Sequence, residues 1–243
     1  GTPSESKINI SVGDTKVTAT ITGTTATISK FESSSSTKSE ASIDLSQTGK
    51  AVDTAKLAAP VIKELVKSKG MEIKLSDSNV SFDIAALETI SKELGNNQLS
   101  LKAGKASEKA MNSKQKEAVK KLGNASVYEF ALKAGSKTIS NFNGGKAEVE
   151  INVGKGRKGQ IKMHHISDKG KSTAVEVTYN KNTGVAKVVL EHFSLYAVTF
   201  DESVIVQEAP FFSDVNENDW FFSSVEYALD KKLMNGISET QFA

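Results

Sequence analysis

Polar and apolar residues alternate with a period of two near the start of the chain. Turn-forming residues at Gly13-Asp14 and at Gly23 divide this alternation into separate runs. Because a strand that is buried on one face shows strict alternation, these runs predict short antiparallel strands. The alternating apolar positions are Ile8, Ile10 and Val12, then Val17, Ala19 and Ile21, then Ala26 and Ile28.

From Ala41 onward the pattern indicates helices that alternate with short strands. Apolar residues recur at helical spacing, and a glycine follows each helical run, which suits the left-handed backbone at many helix ends. The predicted helices are residues 56–69 ending at Gly70, a helix capped by Asp83 and ended by Gly95, and a basic helix over residues 113–121 with a capping box at Asn112 and Gln115.

Strand patterns dominate from residue 127 to residue 200. Turn signals such as Asn143-Gly144-Gly145 and Asp168-Lys169-Gly170 separate the strands, and Val175 to Tyr179 are expected to form one strand. Short strands with a turn every ~8–12 residues are typical of a β-sandwich.

These patterns predict an α+β fold with an antiparallel β-sandwich in its C-terminal half and a short helical stub. The expected domains are a linker remnant at residues 1–7, a strand-and-helix half at 8–105, a β-sandwich half at 106–205 and a final segment at 206–243.

Composition narrows the functional classes. The net charge of +2 is nearly balanced and gives no basic field for nucleic acid. The 243 residues contain no cysteine, and no apolar run approaches the ~18 residues of a membrane span. The chain opens on Gly1-Thr2-Pro3, which we interpret as a cut linker.

His192-Phe193-Ser194 is the sharpest candidate for chemistry. The tripeptide resembles the cleavage motif of autoproteolytic β-sandwich domains of the GAIN type. The resemblance implies that Ser194 is a nucleophile, that Phe193 supplies the scissile carbonyl and that His192 is the base. The alternative is that Phe193 fills a core strand and His192 satisfies a hydrogen bond.

Other motifs give weaker chemical signals, and no cofactor or metal is predicted. His164 and His165 are adjacent, so on a strand they point to opposite faces and cannot share one ion. The run from Gly154 to Gly159 is glycine-rich and basic but lacks the Gly-Lys-Ser/Thr ending of a P-loop. We expect a mobile hairpin tip there, or a patch for anionic wall polymer. No carboxylate pair suggests glycosidase chemistry.

Residues 211–242 combine aromatic residues with one amphipathic helix. We expect this helix to begin near Trp220, with Asn218 or Asp219 as its N-cap. We also expect Trp220 to pack in a small core rather than to contact glycan, because aromatic residues supply most of the buried area of a small module. The positions of the pattern are Phe212, Asp214, Val215, Trp220, Ala228, Gly236 and Phe242.

This order resembles the S-layer homology (SLH) repeat, which begins with Phe-x-Asp-Val, opens a helix at a Trp, ends it at a Gly and continues to a Phe. The Thr-Arg-Ala-Glu signature of the second half of the repeat is absent from the sequence. The resemblance implies a Gram-positive-type surface protein that is held on secondary cell-wall polysaccharide through complete SLH repeats.

Residues 8–205 are similar to a module that precedes SLH repeats in bacterial surface proteins and secreted glycosidases. The residues that carry the similarity are Ala26-Thr27-Ile28, Ile43-Asp44-Leu45-Ser46, Leu87, Gln115, Val127-Tyr128, Ile139 with Phe142, Gly144-Gly145, and His192-Phe193-Ser194 with Tyr196-Ala197-Val198.

The two resemblances together imply an extracellular, non-catalytic spacer module at the cell surface, with no nucleic-acid partner and no membrane insertion. Two alternatives stay open. One is a self-processing domain that cleaves between Phe193 and Ser194, and the other is a carbohydrate-binding module.

Overall fold

The computed structural model describes residues 5–12, 15–30, 41–203, 214–215, 219–230, 233–234, 237–238 and 241–242. The chain divides into two compact units. The larger, which we call the β unit, comprises Gly1–Arg157 and Ile161–Asp201, and the smaller, the C-terminal unit, comprises Lys158–Gln160 and Glu202–Ala243. The motif positions Phe212 and Gly236 lie outside the described residues.

Sixteen strands are present in the described ranges. They are β1 (Glu5–Val12), β2 (Thr15–Thr22), β3 (Thr25–Ile28), β4 (Ala41–Asp44), β5 (Thr54–Leu57), β6 (Met71–Lys74), β7 (Ser78–Phe82), β8 (Leu99–Lys105), β9 (Ser126–Ala134), β10 (Lys137–Thr138), β11 (Ala147–Asn152), β12 (Gln160–Ile166), β13 (Ser172–Val175), β14 (Thr178–Asn180), β15 (Val185–Leu190) and β16 (Leu195–Asp201).

The strands form two sheets. The ten-stranded sheet has the order β1-β2-β3-β5-β8-β9-β16-β12-β13, with β10 paired to β9, and the six-stranded sheet has the order β14-β15-β11-β7-β6-β4. The first three strands pair antiparallel, as their alternation predicts. From β3 to β6 the chain passes between the sheets at each step. As a result, β3 pairs with β5 and β4 pairs with β6 in parallel.

One apolar core contains side chains from both sheets. Leu101 and Phe130 belong to the larger sheet, Phe82 and Val149 belong to the smaller one, and all four lie in the same buried cluster. Both sheets also contain strands from before and after residue 105. The fold is mostly β with few helices, which is consistent with an α+β or a mainly-β class.

Two of the predicted helices form as expected. α2 (Ile84–Leu94) begins after Asp83, whose carboxylate accepts the Ala86 N–H at 2.8 Å, and Gly95 ends it with φ of 55°. α3 (Ser113–Lys121) begins with the predicted capping box: the Gln115 N–H donates to the Asn112 side chain, and the Asn112 N–H donates to the Gln115 side chain.

The predicted helix over residues 56–69 is wrong at both ends. Thr54–Leu57 is strand β5, and α1 covers only Ala59–Leu65, with Pro60 in its first turn. Proline suits a first helical turn because its missing N–H has no partner there. Lys56 and Leu57, which helical spacing assigns to the helix, instead pair with β3 on one edge of β5 and with β8 on the other.

The expected single strand from Val175 to Tyr179 is also wrong. β13 ends at Val175 in the larger sheet, and β14 begins at Thr178 in the smaller sheet. The alternation continues through Val177 because this side chain packs against the shared core while the chain changes sheets.

The C-terminal unit contains helix α4 (Phe222–Asp230). A small apolar cluster holds Val215 and Val225 at its centre, with Phe221, Leu229 and Phe242 packed against them. None of the described helices is long and apolar enough to cross a membrane.

Candidate functional sites

The His192-Phe193-Ser194 segment lies between β15 and β16, and its backbone is held on both sides. The Phe193 N–H donates to the Ser140 carbonyl at 3.1 Å, and the Ser194 carbonyl accepts the Phe130 N–H at 3.0 Å. His192 also forms an isolated bridge with Asn141. The segment is therefore a bonded part of the sheet architecture.

Phe193 anchors this segment in the core. Its side chain is 6% exposed, and its ring centroid lies 5.0 Å from that of Phe142 and 5.8 Å from that of Phe82. Phe193 belongs to the main core, whereas Leu195 belongs to a second cluster with Ala197. Strict alternation would place Phe193 and Leu195 on the same face of a strand. Because their side chains lie in different clusters, the alternation is interrupted between them.

The His192 imidazole pairs with Tyr196. The Tyr196 hydroxyl lies 3.2 Å from His192 Nδ1 and donates to the His192 carbonyl at 2.9 Å. Within the described chain, no hydrogen bond joins the Ser194 hydroxyl to His192. Burial holds the pKa of the Tyr196 hydroxyl well above its ordinary value, so this phenol stays protonated.

His165 completes an aromatic group with His192 and Tyr196. Its ring centroid lies 4.7 Å from that of His192 and 5.5 Å from that of Tyr196. Burial, reinforced by the neighbouring His192, lowers the pKa of His165, and the Asp168 carboxylate opposes this change. The described residues contain no cluster of three or more side chains able to hold a metal ion.

Three of the SLH-like positions, Asp214, Val215 and Phe242, come together in the C-terminal unit. The Phe242 N–H donates to the two carboxylate oxygens of Asp214 at 2.9 and 3.1 Å, across 28 positions of sequence. Val215 is buried, and Ala228 lies half-buried on α4. One apolar cluster and one carboxylate thus join the start and the end of the pattern.

Trp220 departs from the expectation of core packing. Its side chain is 91% exposed, and its contact is a T-shaped one with Phe221 at 5.5 Å between centroids. α4 begins at Phe222, whose N–H donates to the Asp219 carbonyl at 3.0 Å. The helix starts two residues after Trp220. The indole therefore precedes the helix, whose apolar face carries Val225 and Leu229.

The glycine-rich run after β11 is tethered to its neighbours. The Tyr179 hydroxyl donates to the Gly154 carbonyl at 2.6 Å and accepts the Arg157 N–H at 3.1 Å. The Arg157 guanidinium lies 4.5 Å from the centroid of the Phe200 ring. These contacts tether the chain from Gly154 to Arg157. This stretch belongs to the run from Gly154 to Gly159, where the sequence predicted a mobile hairpin tip.

A cleft of about 260 Å³ opens beside this segment, and the sequence did not predict it. It lies where β8 and β11 end and where β7 and β9 begin, so it collects residues that are far apart along the chain. The side chains that matter for its chemistry are Asp77, Lys105, Ser126, Tyr128, Asn152 and Arg157.

Comparison of the chain with protein-family models, with curated proteins and with solved structures finds no significant match.

Proposed function

We propose that this protein is a non-catalytic spacer module of a bacterial surface protein, placed beside an SLH-type wall anchor. In this proposal the β unit is a sandwich whose two sheets pack across one core, and residues 211–242 form part of an SLH repeat. The wall polysaccharide is bound through complete SLH repeats of the parent protein.

The observation that carries the proposal is the bond between Asp214 and Phe242. The Asp of the Phe-x-Asp-Val start accepts the N–H of the final Phe of the pattern, and Val215 packs with Val225 of the helix between them. Asp214, Val215 and Phe242 are positions of the SLH-like pattern, and Val225 lies on the helix between them. Their joint packing supports a structural reason for that spacing.

The environment of His192 supports a non-catalytic role. A self-cleaving hydroxyl needs a base within hydrogen-bond reach, and the His192 ring is instead bonded to the buried Tyr196 phenol. The backbone around the Phe193–Ser194 bond takes part in cross-strand hydrogen bonds, and Phe193 fills the core. These bonds and this packing support a structural role for the segment that leads into β16.

Antibody labelling of producing cells tests the location. Antibodies against this chain should label intact cells, and the label should be released with wall fragments rather than with membranes. Labelling that requires permeabilised cells would refute a surface role. With purified walls, the chain should show no tight saturable binding, because the ligand groove of the SLH family lies between complete repeats.

Intact mass under denaturing conditions tests the absence of self-processing. We expect one species of 26.0 kDa after prolonged incubation of the purified protein. Two fragments that divide before Ser194 and together exceed this mass by one water would overturn the non-catalytic assignment. A Ser194→Ala variant should behave like the original chain.

A further inference from the structure

The cleft at the end of the two sheets carries a net positive charge. Lys105 and Arg157 supply two cations, and Asp77 supplies one carboxylate. In the described part of the chain, none of these three side chains forms an ion pair or a side-chain hydrogen bond. Their charged atoms therefore remain available to a ligand in the space between them.

Part of the frame of the cleft belongs to the two sheets. Lys105 pairs with Tyr128 in the β8–β9 ladder, which fixes one wall. The buried Ser78 hydroxyl of β7 donates to the Ala103 carbonyl of β8 at 2.9 Å, so a hydrogen bond joins the two sheets beside the cleft. Lys105 and Tyr128 therefore lie on strands that are bonded to their neighbours, whereas Asp77 and Arg157 lie in adjoining loops.

Tyr128 offers a hydroxyl with unused hydrogen-bonding capacity. The residue is 2% exposed, and its hydroxyl reaches the Asn152 carbonyl only at 3.4 Å, well beyond the ~2.7–2.8 Å typical of O–H···O bonds. Burial and the nearby Asp77 carboxylate raise the pKa of this phenol. It is therefore a neutral hydroxyl at physiological pH and can bond to a ligand oxygen.

Arg157 is positioned for a planar anion. Its backbone N–H is held by the Tyr179 hydroxyl, and its guanidinium lies over the Phe200 ring. Stacking on an aromatic ring leaves the in-plane N–H donors of a guanidinium available, and these donors match a carboxylate in a two-pronged bond.

We propose that this cleft binds an acidic sugar, that is, a single ring with one carboxylate and several hydroxyl groups. Arg157 and Lys105 receive the carboxylate, while Asp77 and Tyr128 bond to hydroxyl groups. The three charged side chains leave one net positive charge, which matches a monoanion. The volume of about 260 Å³ lies just below the ~300–1,000 Å³ of drug-sized sites and suits one ring.

This inference stands apart from the spacer role, because it concerns only residues of the β unit. Titration calorimetry of the purified protein with glucuronate is the direct test. We expect saturable binding at one site per chain. Two matched ligands complete the titration: glucose lacks the carboxylate, and cyclohexanecarboxylate lacks the hydroxyl groups. Both should bind at least tenfold more weakly than glucuronate.

Variants locate the site. Arg157→Gln and Lys105→Gln should each weaken glucuronate binding at least tenfold, and Asp77→Asn should reduce the preference for glucuronate over cyclohexanecarboxylate. Lys133→Gln is the matched control, since Lys133 is an exposed lysine of β9 that does not line the cleft. Its affinity should equal that of the original chain. Circular dichroism checks that each variant is folded.

Three results would overturn the proposal. Absence of saturable binding to glucuronate removes the site, and equal binding of glucose or of cyclohexanecarboxylate removes the acidic-sugar assignment. Equal weakening by Lys133→Gln would show diffuse attraction by surface charge rather than a built cleft.

Discussion

Gly145 is the position where one methyl group should disturb the β unit most. It is buried in the turn before β11, and a Cβ at this position would lie 2.2 Å from the backbone nitrogen of Ala86 and 2.6 Å from its Cα. Real Cβ atoms do not approach backbone this closely, so Gly145→Ala must push the turn and the first turn of α2 apart. The Ala86 N–H is also the donor of the N-cap bond to Asp83.

The cost follows from two contributions. Overpacking of a close contact costs ~1–3 kcal/mol, and loss of an N-cap bond costs ~1 kcal/mol. We therefore expect Gly145→Ala to lower the free energy of unfolding by ~2–4 kcal/mol, which corresponds to a fall of ~5–15 °C in Tm at this chain length.

Far-UV circular dichroism with urea and with heat is the suitable assay, because the single tryptophan belongs to the C-terminal unit and does not report on the β unit. Gly104→Ala is the control. A Cβ on Gly104 would lie 3.5 Å from the Asp53 Cβ, which is ordinary contact, so this variant should be neutral or slightly stabilising. Equal Tm values for the two variants would refute the close approach of the turn to α2.

Three further predictions concern the histidine group and the C-terminal unit. Folding lowers the pKa of His165 from 6.5. Between that lowered pKa and 6.5, the unfolded state therefore binds more protons than the folded state. The free energy of unfolding should fall as the pH is lowered through this window. Urea titrations across this window check the slope, which should be smaller in His165→Gln; an unchanged slope would exclude His165 as its source. Tyr196→Phe removes both bonds to His192 and should lower the free energy of unfolding by ~1–2 kcal/mol, measured by urea titration, whereas an unchanged midpoint would show that these bonds contribute nothing. Acrylamide should quench the fluorescence of Trp220 as in a water-exposed indole, whereas a shielded indole would support the core packing expected from the sequence. By circular dichroism, Trp220→Ala should leave α4 intact, and Val225→Ala should disrupt it.

Local sequence signals predicted those elements whose stability is local. The alternation of Val17, Ala19 and Ile21 marks β2, and the Asp83 cap and the Asn112–Gln115 capping box mark the starts of α2 and α3. In each case a few neighbouring residues determine the conformation, so a pattern of a few residues is sufficient.

Features that depend on distant partners were not predictable in this way. Lys56 and Leu57, which helical spacing places in a helix, belong to strand β5 because β3 and β8 bond to this strand on both edges. The cleft joins Asp77, Lys105 and Arg157, which lie far apart along the chain and carry no shared motif. The exposure of Trp220 depends on where α4 begins, and helix boundaries are the least certain part of a periodic pattern.

The places of β1 and β16 in the larger sheet have a mechanical consequence. Among the described strands, β1 lies at the edge and pairs with β2 alone, and the two form a hairpin that can open one hydrogen bond at a time. β16 lies between β9 and β12, so its removal must break the ladders on both of its edges. Under tension along the chain, the β unit should therefore lengthen first by release of its N-terminal hairpin, while the side that leads to the C-terminal unit stays folded. Such an order would let the protein yield under load and keep its downstream connection intact.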